Sequence, residues 1–244
     1  MIADKFKFYI GLGMLAVFAV VLVIMFSPVF DGDNALEYSD ELYNSISKDS
    51  AYYIPDVRED SSDYIGTSVS VTLEMDTEGQ AEQTALLYRE AGAEAVTSGV
   101  ELEVNGDLGR ILEGCLDDAD ALYHNDAEKL TGKYGYGERE VLHNWWTSLK
   151  AMNEHLEDEG MSGEAKVVTS AVERVVGPSY NYYGIEPEAI GNRVGMVIFS
   201  LVFYMLYTVW YGFALMYLVE GLGLKISQMF PFWFMAKLKR HKAS

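Results

Sequence analysis

The chain of 244 residues contains a single cysteine, Cys115, and only four histidines. One cysteine cannot form an intrachain disulfide, and it excludes a four-cysteine iron–sulfur site, a Cys-x-x-Cys-His haem attachment and a zinc ribbon. Common catalytic motifs are also missing: the sequence has no H-E-x-x-H, no G-x-S-x-G, no phosphate-binding P-loop and no G-x-G-x-x-G. We therefore expect a non-catalytic protein that carries no cofactor.

Basic residues are scarce in the middle of the chain. Residues 31–192 hold 35 of the 37 acidic residues but only 10 of the 18 basic ones, a net charge of −25, whereas the two ends together carry +6. Such an anionic surface repels nucleic acid, which excludes DNA and RNA as expected partners. It is compatible with solubility or adaptation to salt, and also with docking of cations or a basic partner.

Two long apolar runs are present. Residues 8–26 form nineteen consecutive positions without a charge, about the length that crosses a bilayer core. Lys5 and Lys7 precede this run and acidic residues follow it, so the positive-inside rule places the N-terminus in the cytoplasm. A cleaved signal peptide is the alternative, but the run is longer than a usual signal core and no small-x-small cleavage site follows it.

The second apolar run, residues 194–219, is followed by a basic tail. The charge pattern predicts a protein of the inner (cytoplasmic) membrane, with both termini cytoplasmic and residues 31–190 extracytoplasmic or periplasmic. The predicted divisions are 1–30 for the first span, 31–190 for the acidic domain, 191–222 for the second span and 223–244 for the tail. Aromatic and basic side chains in that tail predict an interfacial anchor on anionic lipid headgroups. The anchor residues are Phe230, Trp233, Phe234, Lys237, Lys239 and Arg240.

The second run has aromatic and small residues at spacings of three and four, which places them on one helical face. Tyrosine hydroxyl groups inside a membrane need hydrogen-bond partners, and small residues let helices approach closely. We therefore predict that this face packs against other integral membrane protein subunits; the alternative is that it meets the first span of the same chain. The residues are Phe203, Tyr207, Trp210, Ala214 and Tyr217, with Gly191 and Gly195 at the outer end.

In the acidic domain, residues 67–75 and 99–107 alternate between apolar and polar side chains, as half-buried strands do. A capping box at Thr77 and Gln80 predicts an intervening helix to about Val96. The result is a strand–helix–strand piece at about 67–104 whose two strands pair, with an Asn-Gly turn ending the second strand at 105–106. A short helix over 31–47 and a loop over 48–66 are predicted before it.

Three stronger helices follow, at 107–124, 138–158 and 162–176, and each carries an apolar stripe. Amphipathic helices joined by short links bury their stripes against each other, which predicts a helical bundle over about 107–176, ended by Gly177-Pro178. The expected fold class is mainly α: two transmembrane helices flank an extracytoplasmic helical bundle with a small β element (α+β).

One face of the first bundle helix carries Glu113, Asp117, Asp120 and His124 at i, i+4, i+7 and i+11. Carboxylates and an imidazole at this spacing are candidate metal ligands, because a neighbouring helix can supply the rest. The alternative is a solvated polar face, since these residues lie opposite the apolar stripe.

The segment "EREVLHNWWTSLKAMNEHLEDEG", residues 138–160, combines two histidines with two tryptophans. Its stripe predicts that Trp145 is a core residue and that Trp146 lies on the flank. His143 and His155 are twelve residues apart, about 18 Å along a helix, so they cannot share one ion. The segment is therefore interpreted as a packing spine.

Three functions are compatible with these patterns. The first is a non-catalytic accessory or scaffold subunit of an inner-membrane complex, indicated by the aromatic second span. The second is an extracytoplasmic ligand- or cation-sensing module coupled to a separate transducer. The third is a metal-dependent enzyme that uses the Asp/His helix face.

Overall fold

The computed structural model describes residues 2–29 and 32–224. Within these residues the chain is mostly helical with one small sheet, which confirms the predicted mixture of a dominant α part and a β element. The elements in chain order are α1 (Lys5–Met25), α2 (Ala35–Ser50), α3 (Ile54–Ser62), β1 (Ser68–Glu74), α4 (Glu78–Glu90), β2 (Glu94–Ser98), β3 (Glu101–Asp107), α5 (Leu108–Tyr123), α6 (Ala127–Tyr134), α7 (Glu138–Asp158), α8 (Ser162–Ala171), a π-helical turn (Val172–Val176), α9 (Gly177–Asn181) and α10 (Ile190–Gly221). They form two compact units, Met1–Glu41 with Ile190–Ser244, and Leu42–Ala189.

The sheet is antiparallel with the strand order β1–β3–β2. β1 and β3 are the two predicted strands, and Leu73 pairs with Leu102 while Val71 pairs with Val104. These side chains are buried and their neighbours along each strand are exposed, so one face of the sheet packs on the core.

The predicted extension of the intervening helix to Val96 is wrong. α4 ends at Glu90, and Gly92 adopts a positive φ of 84°, a conformation that ends helices and that glycine tolerates best. The chain then forms β2, which pairs with β3. The sequence pattern missed this strand because β2 is short and its exposed face carries Val96 among polar residues.

The predicted Asn-Gly turn is also wrong. Asn105 and Gly106 lie inside β3, opposite Ser70 and Val69. A Cβ atom on Gly106 would come within 2.6 Å of the Ala93 Cβ atom. Close approach to the start of β2, rather than chain reversal, therefore accounts for glycine at this position.

Two short helices were not predicted. α3 lies within the predicted loop 48–66, begins with Pro55 in its first turn, and buries Ile54 and Val57. α6 connects α5 to α7 and buries Leu130 and Tyr134. α2 begins later and ends later than the predicted helix over 31–47.

The three long bundle helices bury the predicted stripes. On α7 the stripe is completely enclosed: Leu142, Trp145, Leu149, Met152 and Leu156 are at most 1% exposed. Cys115 on α5 is fully buried among apolar side chains, as predicted for a small hydrophobic residue. Burial also raises the pKa of its thiol well above the usual range, so the thiol is unreactive.

The predicted helix end at Gly177-Pro178 is wrong. The π-helical turn Val172–Val176 follows α8, and α9 continues the helical path to Asn181. Pro178 stands in the first turn of α9, where its missing N–H needs no intrahelical partner. The wider π turn therefore carries the chain past the proline.

The other unit contains α1 and α10, which pack as an antiparallel pair. The Lys7 ammonium lies 2.7 Å from Glu220, and the Phe18 and Tyr207 rings stack at 4.3 Å. A Cβ atom on Gly11 would lie 2.6 Å from the Leu218 backbone nitrogen, so this glycine lets the two backbones meet. By length and composition, both helices are long and apolar enough to cross a membrane.

Candidate functional site: an aromatic groove beside a π-helical turn

Trp145 is fixed in the core by a buried carboxylate. Its indole N–H donates to Asp118 Oδ2 at 2.9 Å, and the Tyr134 hydroxyl donates to the same oxygen at 2.5 Å. The Lys133 ammonium contacts Asp118 Oδ1 at 2.9 Å. Asp118 is 1% exposed, so three donors compensate the charge that the fold removes from water. The sequence patterns did not identify Asp118, because it is one of three aspartates within four residues and the other two, Asp117 and Asp120, are exposed or partly exposed.

Asn144, the residue before Trp145, connects α7 to α4. Its side-chain oxygen accepts from Gln80 at 3.2 Å and its amide donates to Gln83 at 3.4 Å. Asn144 is 1% exposed, so these two bonds satisfy a buried amide. Together with Trp145, it fixes the rotation of α7 and thereby determines which residues of that helix face outward.

Two exposed residues of α7, together with the buried Leu142, form one wall of a groove of about 380 Å³. Leu142, His143 and Trp146 line this wall, and the opposite wall comes from the π-helical turn and α9. The second wall consists of Val176, Gly177, Tyr180 and Asn181. The volume lies in the lower part of the range for small-molecule sites.

Aromatic rings dominate the groove. The His143 and Trp146 rings stack with centroids 6.1 Å apart and planes inclined by 19°. Trp146 is 38% exposed although it is an apolar side chain of the largest size. Among the described residues, His143 and Asn181 have no side-chain hydrogen-bond partner, so two polar groups face the groove with free bonding capacity.

Two cations of α7 lie against aromatic residues of the groove lining. The Lys150 ammonium lies 4.5 Å from the centre of the Trp146 ring. The Arg139 guanidinium lies 5.4 Å from the Tyr180 ring and 5.1 Å from the Tyr183 ring. Within residues 2–29 and 32–224, neither cation has a carboxylate oxygen within 4.0 Å.

No acidic residue lines the groove, although the surrounding segment has a net charge of −25. Arg139, His143, Trp146 and Lys150 follow one another at i, i+4, i+7 and i+11, which makes one stripe on α7. The groove lining is thus aromatic and contains no carboxylate, and Arg139 and Lys150 lie beside it. A carboxylate on the Arg139 side is that of Glu138, which is hydrogen-bonded to Tyr183. The π-helical turn beside the groove is of a kind often found at functional sites.

The predicted metal-ligand face is exposed and partly occupied by other contacts. Asp117 pairs with Arg58 at 2.8 Å, and Asp120 accepts from the Tyr52 hydroxyl at 3.0 Å and contacts His124 at 3.1 Å. Glu113 lies on the same exposed face. In the part of the chain that the structure describes, no three His, Cys, Asp or Glu side chains are grouped to hold a metal ion. The metal hypothesis remains a prediction without a supporting geometry.

The predicted membrane-packing face is divided. Tyr207 stacks on Phe18, Trp210 donates to the Met14 carbonyl at 3.1 Å, and Ala214 is buried at the α1 contact. These three contacts are those of the alternative in which the face meets the first span of the same chain. Phe203 stacks on Tyr207 at 5.8 Å, and Tyr217 is half-buried.

Gly191 and Gly195 stand apart from these contacts, because a Cβ atom on either would meet nothing within 4 Å. The predicted interfacial anchor in the tail lies outside the described residues.

A second buried charge in the acidic domain is the ammonium group of Lys48, on α2. The Lys48 ammonium donates to the Ile185 carbonyl at 2.6 Å and to Asn125 Oδ1 at 3.3 Å, and the Tyr123 hydroxyl donates to the Lys48 carbonyl. Burial lowers the pKa of Lys48, because the charged form loses water, and Glu186 partly opposes this effect. The contacts join the last turn of α2 to the segment before α10, so we assign Lys48 a structural role.

Comparison with known proteins gives no relative: no family model, curated protein or solved structure matches the chain.

Proposed function

We propose that this chain is a non-catalytic accessory subunit of an inner-membrane complex. In this proposal α1 and α10 span the membrane, both termini are cytoplasmic, and Leu42–Ala189 forms an acidic extracytoplasmic domain. The antiparallel packing of α1 and α10 supports this topology, because the Ala3 and Asp4 amides both donate to the Gly221 carbonyl and so hold the two cytoplasmic ends together. The clustering of basic residues at the chain ends supports the same orientation.

The observation that carries the proposal is a pair of tyrosines in the middle of α10. Tyr204 is 69% exposed and Tyr211 is 41% exposed, and neither hydroxyl has a hydrogen-bond partner among the described residues. They are seven residues apart and therefore share one face. In hydrocarbon, an unsatisfied hydroxyl costs about 2–7 kcal/mol, so an acceptor from another membrane helix would stabilise this face.

This face differs from the one predicted from the sequence. α1 covers the side of α10 that bears Tyr207, Trp210 and Ala214, so a partner helix has to approach elsewhere. Phe18 of α1 also touches one side of the Tyr211 ring, at 5.0 Å between centres, so Tyr211 stands at the border between the two surfaces. The open positions Gly191 and Gly195 permit close approach at the N-terminal end of α10. We therefore assign the partner to the surface of Tyr204 and Tyr211.

Site-specific photocrosslinking in native membranes tests this assignment. A photoreactive phenylalanine analogue at residue 204 or 211 should give an adduct with a second membrane protein. The same analogue at Leu206 provides the matched control, because Leu206 is 63% exposed and lies about 200° around the helix from Tyr204. Equal adducts at 206, no adduct at 204 and 211, or adducts only between copies of this chain would each contradict the proposal.

A second candidate function is a ligand-binding module, and the aromatic groove is the observation that favours it. An apolar concavity with a few convergent polar groups is the usual form of a small-molecule site. In this proposal the domain binds a ligand outside the membrane and presents the bound state to a separate transducer. Saturable binding to the full chain, lost on Trp146→Ala, tests it.

A further inference from the structure

We infer that the groove between α7 and α9 binds a small aromatic carboxylate. The inference rests on the proposed function of the domain as a ligand-binding module and names the chemical class of the ligand. It is independent of the membrane-partner proposal, because all groove residues belong to Leu42–Ala189.

The residues of the two walls favour a ligand with an aromatic framework. His143, Trp146 and Tyr180 present aromatic atoms to the groove. The aliphatic residues of its lining, Leu142 and Val176, are fully buried. Aromatic pairs in edge-to-face or offset geometry are favourable beyond simple burial, so an aromatic body gains more against these rings than an alkyl chain of equal size. A volume of about 380 Å³ accommodates one such molecule.

The two cations beside the groove favour a negatively charged ligand. Arg139 lies against the faces of Tyr180 and Tyr183, and a stacked guanidinium keeps its N–H edge available for a carboxylate. Lys150 over Trp146 adds a second positive charge beside the groove. A cationic ligand would face two like charges, and a neutral one would leave both without an anionic partner.

The polar groups on the walls fit the same class of ligand. The Asn181 side chain can donate to a carboxylate, and the His143 ring can donate from one nitrogen. Neither group has a side-chain partner among the described residues that would have to be displaced. Because no acidic side chain lines the groove, a bound anion meets no carboxylate at contact distance, and salt screens the more distant charges of the domain.

The test uses the full chain in nanodiscs of uncharged lipid and measures binding by calorimetry. The probes are 2-naphthoate, its uncharged isostere 2-naphthamide, and the cation 2-naphthylmethylammonium. We expect saturable binding of 2-naphthoate and at least about tenfold weaker binding of the other two probes. Arg139→Gln and Trp146→Ala should each weaken 2-naphthoate binding about tenfold. Lys166→Gln, which removes an exposed charge from α8, should leave it unchanged.

The outcomes separate the inference from the function on which it rests. Preferential, Trp146-dependent binding of the amide or the ammonium probe would overturn the carboxylate assignment while leaving a ligand-binding groove. No saturable binding of any probe would overturn both. An equal loss on Lys166→Gln and Arg139→Gln would show attraction by overall charge and would also overturn the assignment. Unchanged melting temperatures of the variants would show that each one is folded.

Discussion

Replacing Trp145 by alanine should remove the most important single contact of the acidic domain. The side chain is fully buried, its ring centre lies 5.1 Å from that of Tyr88, and its N–H donates to Asp118. Loss of a buried tryptophan costs about 3–5 kcal/mol through lost burial and the cavity left behind. The carboxylate of Asp118 also loses one of its three donors, which adds about 1–3 kcal/mol.

Three variants separate these contributions. Trp145→Ala should lower the free energy of unfolding by at least about 4 kcal/mol, and Trp145→Phe should lose mainly the hydrogen bond and some packing, about 1–3 kcal/mol. Trp146→Ala is the matched control, because this neighbouring tryptophan is 38% exposed and should cost less than about 1 kcal/mol. Near-ultraviolet circular dichroism of the full chain in detergent, followed through denaturant unfolding, measures all three. Equal destabilisation by Trp145→Ala and Trp146→Ala would refute the assignment of Trp145 to the core.

Two further predictions concern alkaline stability and the helix pair. Burial raises the pKa of Tyr123 to about 12 from its usual 10.0, so the folded state keeps a proton that the unfolded state releases. The unfolding free energy should therefore fall between pH 10 and 12, and less steeply in Tyr123→Phe; an identical slope in both proteins would contradict this. Gly11→Ala should separate α1 from α10, whereas Gly13→Ala should not, because only Gly11 meets the opposing backbone. Spin labels at Val17 and Val209 should report a longer distance for Gly11→Ala alone, and equal distances for the two variants would count against the packing.

The long helices were predictable because their apolar stripes repeat over several turns. α7 begins and ends where the sequence predicts, and each residue of its stripe is buried. The short elements were not predictable in the same way. α3 and α6 contain too few turns for a periodic signal, and β2 alternates over only five residues. Contacts distant in sequence stabilise these elements, so local propensity gives little indication of them.

The sequence contains a recognisable pattern for only one of the two walls of the groove. The spacing of Arg139, His143, Trp146 and Lys150 on one side of α7 is visible in the residues 138–158. The opposite wall depends on the π-helical turn, which carries the chain past Pro178 and brings Tyr180 next to α7. Neither a π turn nor continuation through Gly177-Pro178 follows from the sequence pattern, so the second wall could not be predicted.

The adjacent residues Trp145 and Trp146 also show which features the sequence predicts and which it does not. Trp145 was correctly assigned to the core, and Trp146 to the flank of the stripe. Interpretation of the whole segment as a packing spine was incomplete, because His143 and Trp146 face the groove. Adjacent residues on a helix point about 100° apart, so one segment can supply both a core and a binding surface.

Membrane topology is the central claim, and cysteine labelling measures it directly. Single substitutions Lys5→Cys, at the exposed first residue of α1, and Ser162→Cys, at the exposed start of α8, give the two reporters. The native Cys115 is fully buried, so the unmodified chain provides the background. In intact spheroplasts, a membrane-impermeant maleimide should label Ser162→Cys and leave Lys5→Cys unlabelled until the membrane is opened. Labelling of Lys5→Cys in intact spheroplasts, or protection of Ser162→Cys, would contradict the two-span arrangement with an extracytoplasmic acidic domain.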